Sequence, residues 1–423
     1  MAAIDTYGKL LNAEGAIDFA DLMLTAVRDM HSKSMPPLSV RWLLVDEAQD
    51  MDEIQIEWVK IHARQGIDVT LVGDDDQSLY SFRHATGYAG LLHVTEFLSS
   101  AIMSLPINYR TPENIAQHAN RLISHNVNRA PKSIEADRKS PGSISVIRAE
   151  NRWNEAELIA SRIASNRDFD SWAVLGRTNS ILDKVEVAFV ERMLPYIRMG
   201  GKSVWDKTVG STLLGLLHSV AAGTWTGIAN TLFFCGMAPT LVNGLSRIRQ
   251  DAMGIERLEA INRDHLHSFD SSSDRELLIS LLVALQDWDQ QARLDRPALV
   301  IHAVTAWLAE RTNGENSCLL LRLEGILCRM TGRLLNRLVT VRSRRVSHNG
   351  GVAIMTMHTA KGLEFPNVWI LGAEEGNLPH VDATHEEERR LFYVGMTRTK
   401  EQLVVSSAAD EGPVSRFVAE SAL

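Results

Sequence analysis

Leu43-Leu44-Val45-Asp46-Glu47-Ala48-Gln49-Asp50 is an apolar run that ends on an acidic pair. Val40 to Val45 predicts a short strand, apolar but for Arg41, as strands buried on both faces of a parallel sheet are. Residues 53–64 have the pattern of a helix, and Val69 to Val72 is a second apolar strand that closes on Gly73. Strand, helix and strand at this spacing form a βαβ unit. The acidic clusters Asp46-Glu47 and Asp74-Asp75-Asp76 then fall at the carboxyl ends of strands, where α/β sheets place their ligands.

Outward from this unit, residues 1–35 read as two helices joined by a turn, with Asp18 as a cap for the second. Pro36-Pro37 ends that segment. Ile144 to Ile147, Trp172 to Leu175, Ala353 to Met357 and Val368 to Leu371 predict the strands of a second α/β unit. Between about 206 and 345 the pattern turns helical and leucine-rich, as in Ser211 to Ala222 and Glu276 to Leu285. The expected division is 1–98, 99–205, a helical insertion over 206–345, and 346–423. No internal repeat or low-complexity tract interrupts it.

At 423 residues the chain is long enough for about three domains. Hydrophobic residues at 45% and charged residues at 23% are ordinary for a soluble globular protein. The net charge of −8 (44 basic against 52 acidic) excludes a generally basic nucleic-acid binder but not a local basic track. Cys235, Cys318 and Cys328 are odd in number and widely spaced, which argues against a disulfide framework or a zinc site. They read as buried thiols. The first residues carry no basic segment followed by an apolar one, and no apolar run approaches the ~20 residues of a membrane span. The expectation is a cytoplasmic protein without membrane contact.

Several residues carry chemistry. A strand-terminal Asp46 can hold Mg²⁺, partly through water, and Glu47 can orient or deprotonate an attacking water. The same pair also serves simply to cap a helix. Asp74-Asp75-Asp76 reads either as a solvated turn or as a cation site. Gln77 offers both a donor and an acceptor, so it can sense a γ-phosphate. Tyr80 and Phe82, followed by Arg83, suit base stacking on single-stranded nucleic acid, though taken alone both rings read somewhat more readily as core. Arg322, Arg329, Arg333 and Arg337, spaced 7, 4 and 4, share one helical face, with Arg342, Arg344 and Arg345 beyond. That face either holds duplex phosphates or is a solvated surface.

Four further segments complete a recognisable order: Asn108-Tyr109-Arg110, Leu175-Gly176-Arg177-Thr178-Asn179, Thr356 to Phe365 with His358-Thr359-Ala360-Lys361-Gly362-Leu363-Glu364, and Val394 to Arg398. The succession resembles superfamily 1 helicases of the UvrD/Rep/PcrA type across nearly the whole chain outside the helical stretch. The resemblance implies two RecA-like parallel-sheet domains of the P-loop NTPase type, the first incomplete, with a mostly helical insertion in the second. It implies an ATP- and Mg²⁺-dependent 3′→5′ DNA helicase acting on single strands and single-strand/duplex junctions. Asp46 would coordinate Mg²⁺, Glu47 would be the catalytic base and Gln77 would contact the γ-phosphate. Tyr109 would stack on adenine, Glu364 would meet the ribose or phosphates, and Arg110 and Arg398 would be arginine fingers. Tyr80, Phe82, Arg83, His358 and Lys361 would contact DNA. Phe82 stands where the family commonly has Trp, and His84 where it has Gly. No firm role attaches to Arg177.

One element of that family is not in the sequence. No GxxxxGK[ST] occurs; the tempting Gly200-Gly201-Lys202-Ser203 fails because the Gly required five positions before Gly201 is Tyr196. It reads as a turn. With the phosphate cradle and its lysine gone, the expectation is an N-terminally truncated helicase, weak or inactive by itself. An upstream chain supplying that loop is the implied partner. An exposed sheet edge is expected in the first domain. The alternative is a non-catalytic DNA-binding remnant, or one half of a split helicase.

Overall fold

The computed structural model describes residues 2–132, 134–248, 271–343 and 350–423. The chain divides into two compact units, Met1–Asn151 with Met357–Leu423, and Arg152–Thr356. The fold is α/β with parallel sheets, as the sequence predicts.

In the first unit, helices Ala2–Glu14 and Phe19–His31 open the chain. Asp18 caps the second by accepting the Asp21 N–H at 2.8 Å. The βαβ unit follows: strands Trp42–Val45 and Asp68–Leu71 pair in parallel, with helix Glu53–Arg64 between them. That helix starts on a capping box in which Asp52 and Gln55 each accept the other's backbone N–H. Ala48, Met51, Ile56, Val59 and Val94 form a small core, Val94 coming from helix Gly87–Leu98.

One expectation fails here. The strand at 42–45 is not buried on both faces: Trp42 is 62% and Leu44 75% exposed. Helices Glu53–Arg64 and Gly87–Leu98 contribute to the core on one side of this two-stranded sheet, and the alternate side chains of the other face have no cover among the described residues.

A second parallel sheet in this unit has Thr399–Ala408 between Ser143–Ala149 and Phe365–Ile370. The ten-residue strand at 399–408 was not legible in the sequence, because its first half, Thr-Lys-Glu-Gln, reads as polar. Helices Glu113–Ile123 and His385–Thr397 pack beside it, and a two-residue parallel pair, Ile107–Asn108 with Glu135–Ala136, leads into the former.

The second unit has Val352–Thr356 between Trp172–Gly176 and Tyr196–Arg198, all parallel. Helices Arg152–Asn166 and Asn179–Glu191 accompany these strands. Among the described residues, seven helices between Thr208 and Ser343 bury a leucine-rich core around Leu213, Leu217, Leu281, Leu285, Val304 and Leu323. Gly200 to Ser203 is a turn, its Ser203 hydroxyl donating to Glu186 at 2.5 Å.

Two readings are corrected in this unit. The arginine row is not one helical face, because helix Gly314–Arg329 ends before Leu334–Ser343 begins. Arg322 pairs with Glu157 and Glu191 and lies over Trp153, and Arg329 pairs with Glu191. Arg337 is buried, donating to the carbonyls of Leu327, Cys328 and Gly332. Arg322 and Arg337 are spent on the fold, whereas Arg329 and Arg333 are exposed and pair with Glu191 and Asp295 from the surface. The Arg342 side chain, Arg344 and Arg345 lie outside the described residues. Nor are the cysteines buried: Cys318 is exposed on its helix, and Cys235 and Cys328 are half-buried. Among the described residues no helix is long and apolar enough to cross a membrane.

Candidate functional site

All the predicted site residues lie in the first unit. Asp46 and Glu47 leave the end of strand Trp42–Val45 as exposed side chains. Glu47 adopts a left-handed conformation (φ +52°), and its N–H donates to Asp46 Oδ1 at 2.8 Å. A non-glycine residue held in that region stores strain, a common feature of functional turns. The turn after it, Ala48–Asp50, is tied down by Gln49, which is fully buried and donates to Glu47 Oε2.

The second acidic loop follows strand Asp68–Leu71. Gln77 donates to Asp74 Oδ2 at 2.6 Å and accepts from Arg398 Nη2 at 3.0 Å. Arg398 sits at the C-terminus of helix His385–Thr397, where a cation is favoured. Glu386, Glu387 and Glu388 suit the opposite end for the same reason. Only 1% exposed, the Arg398 guanidinium bonds to the carbonyls of Val394 and Leu363, the Thr397 hydroxyl and Gln77, and among the described residues it has no carboxylate of its own. Burial, and then the like charge of Arg110, push it down to about 10. A buried guanidinium with a second guanidinium close enough to lower its pKa is suited to an anion such as a phosphate.

Arg110 is positioned by Asn108, whose Oδ1 accepts the N–H groups of both Arg110 and Thr111. Its Nε donates to Glu364 Oε2 at 2.8 Å, and Lys400 holds the other oxygen of Glu364. Lys400 and Arg110 together bring Glu364 down to about 2. Tyr109 is 69% exposed.

The aromatic segment is not core. Phe82 is 65% exposed, its ring 5.9 Å from Tyr80 and 6.2 Å from His358, both edge-on. Arg83 lies 5.6 Å from each of the Tyr80 and Phe82 ring centres. Lys361 lies 5.3 Å from the Tyr80 ring, 3.3 Å from Glu47 Oε2, and against Asp50. His84 takes φ +63°, the conformation a glycine adopts freely.

The acidic triple is neither a solvated turn nor an open cation site. Asp75 and Asp76 are buried. Arg129 grips Asp76 through two bonds of 2.9 and 2.7 Å, and Lys132 reaches Asp74, Asp75 (2.6 Å) and Asp76 (3.0 Å). Ala130 N–H donates to Asp75 at 2.7 Å. Lys132 is held well above the usual lysine range by these carboxylates despite its burial. Sequence reasoning missed Arg129, Lys132, Gln49 and Lys400. The first two meet partners more than fifty positions away, and no local pattern signals that.

The UvrD/REP helicase N-terminal domain matches residues 1–91, and the UvrD-like helicase C-terminal domain matches 103–271 and 322–410. The chain belongs to the UvrD-like helicase family. It is 27% identical to DNA helicase II of Haemophilus influenzae over 98% of this chain and 63% of that protein. It is 26% identical to ATP-dependent DNA helicase PcrA of Bacillus subtilis (98% and 62%) and 28% to ATP-dependent DNA helicase Rep of Escherichia coli (94% and 65%). The chain thus spans a little under two thirds of the length of these relatives.

Proposed function

We propose that this chain acts as an ATP-dependent 3′→5′ DNA helicase and single-strand translocase of UvrD type, coupling ATP hydrolysis to duplex unwinding. The observation that carries the reading is the contact between Gln77 and the buried Arg398, one loop away from Glu47. Asp46 would hold Mg²⁺, partly through water; the ion neutralises phosphate charge. Glu47 takes the proton of the attacking water. Arg110 and Arg398 face the charge that develops on the transferring phosphoryl group, and Gln77 reports its presence. Tyr109 stacks on adenine and Glu364 meets the ribose or phosphates. Tyr80 and Phe82, braced by Arg83, stack on bases of single-stranded DNA, while His358 and Lys361 take its phosphates.

Because the sequence holds no GxxxxGK[ST], turnover by this chain alone is expected to be weak, and an upstream chain bearing that loop is the expected partner. The same absence favours the second reading, a non-catalytic DNA-binding remnant or one half of a split helicase. The test is phosphate release and single-stranded DNA binding by the pure chain, by Phe82→Ala and by Glu47→Gln. Weaker DNA binding in Phe82→Ala and loss of turnover in Glu47→Gln support the helicase reading. DNA binding with no turnover, restored by a chain carrying the loop, identifies a split motor; unrestored, it identifies the remnant. Neither binding nor turnover removes both readings.

A further inference from the structure

Four hydrogen bonds run without a break from Glu47 to Arg398. Gln49 Nε2 donates to Glu47 Oε2, and Gln49 Oε1 accepts the Asp74 N–H at 3.0 Å. Asp74 Oδ2 accepts from Gln77 Nε2 at 2.6 Å, and Gln77 Oε1 accepts from Arg398 Nη2 at 3.0 Å. Each amide has only one workable sense. An arginine can only donate, so Gln77 must turn its oxygen to Arg398 and its nitrogen to Asp74. A backbone N–H can only donate, so Gln49 must turn its oxygen to Asp74 and its nitrogen to Glu47.

The surroundings enforce this arrangement. Gln49 is fully buried. A Cβ at Gly73 would come within 2.6 Å of Gln49 Oε1, so the missing side chain there makes room for the amide. Asp74 Oδ1 is held by Lys132 and by the Asp76 N–H, which fixes the carboxylate plane toward Gln77.

We propose that Gln49 and Asp74 are positioning residues that tie the orientation of Glu47 to that of Gln77 and Arg398, with Lys132 as their anchor. This rests on the hydrolytic reading above for its functional consequence, but the relay itself is a property of the fold. A change at Arg398, such as the arrival or departure of an anion, would be transmitted to the carboxylate of Glu47 by displacement of Asp74, which holds Gln77 through its carboxylate and Gln49 through its backbone N–H.

The experiment labels the glutamine side-chain amides with ¹⁵N in the full chain. In Gln49→Leu the Gln77 amide resonance should move, and in Arg398→Lys the Gln49 resonance should move, while the unfolding midpoints show that both variants remain folded. Either resonance standing still in a folded variant overturns the relay. In parallel, DNA-stimulated phosphate release is measured for Gln49→Glu, which cannot donate to Glu47. A fall in kcat of about 10–100-fold, the usual range for loss of a supporting partner, with the KM for ATP nearly unchanged, is expected. Unchanged kcat overturns the proposal. If the resonances move but even the unaltered protein, supplied with a loop-bearing chain, turns over no ATP, the relay stands and the hydrolytic reading falls.

Discussion

The ammonium of Lys361 is held by the carboxylate of Asp50, and the pair is largely shielded from water, at 7% and 19% side-chain exposure. Lys361 also lies 3.3 Å from Glu47. A DNA phosphate seeking Lys361 must therefore compete with two carboxylates. Burial pushes the Asp50 carboxyl above its ordinary range, and its Oδ1 finds no hydrogen-bond partner among the described residues. Asp50→Asn should release Lys361 and tighten single-stranded DNA binding by about three- to tenfold, equivalent to ~1 kcal/mol. Anisotropy titrations across a salt series check this. Lys361→Ala should weaken binding and reduce the salt slope by about one.

The acidic triple gives a stability prediction. Removing the cation from a buried ion cluster leaves uncompensated charge, so Lys132→Met should destabilise the first unit by about 3–5 kcal/mol. Chemical unfolding followed by tryptophan fluorescence reads this directly. A change below about 1 kcal/mol would mean that the cluster is hydrated, in conflict with the burial of Asp75 and Asp76.

Glu364 sets a pH dependence. Its folded-state value, about 2, lies below the ordinary 4.5. The stabilisation it gives is thus fully present above pH 4.5 and is lost as the pH falls toward 2. Glu364→Gln should lower the unfolding midpoint at pH 6, and the gap from the unaltered protein should close on acidification. A gap that is constant with pH would show that the carboxylate is not engaged by Lys400 and Arg110.

His84 occupies a left-handed turn. Such a conformation costs a side-chain-bearing residue ~1–2 kcal/mol, and glycine's greater unfolded-state freedom returns part of that, leaving a gain of about 0.5–1 kcal/mol for His84→Gly. Thermal unfolding tests the sign. A loss of stability would mean that the imidazole contributes a contact worth more than the strain.

Arg337 separates structural from DNA-binding arginines. Arg337→Leu strips donors from three carbonyls and should destabilise the second unit by about 2–4 kcal/mol, since hydrogen bonds to charged groups contribute ~1.5–3 kcal/mol and buried unpaired acceptors cost more. The affinity for DNA and its salt dependence should not change. A reduced salt slope would restore the phosphate-binding reading of that row.

Much of the site was legible because its chemistry is encoded locally. Asp46 and Glu47 follow an apolar strand, Gln77 follows a second, and Asn108 to Arg110 and His358 to Glu364 carry their own wording. Caps are local too: Asp18 and Asp52 bond to N–H groups three residues away. Illegible from the sequence were the partners. Lys132 meets Asp74 across 58 positions and Arg398 meets Gln77 across 321.

The sequence by itself determined the βαβ unit, the parallel sheets, the helical stretch after 206 and the candidate site residues, because periodicity and short motifs act within a few residues. Only the tertiary structure decided which charges are spent. It buried Asp75 and Asp76 against Arg129 and Lys132, folded Arg337 onto backbone carbonyls, left Trp42 and Leu44 bare, and joined Glu47 to Arg398 through Gln49 and Gln77. The physical reason is that burial and ion pairing are set by which distant segments meet, and the strength of a charge depends on that environment far more than on its neighbours in the chain.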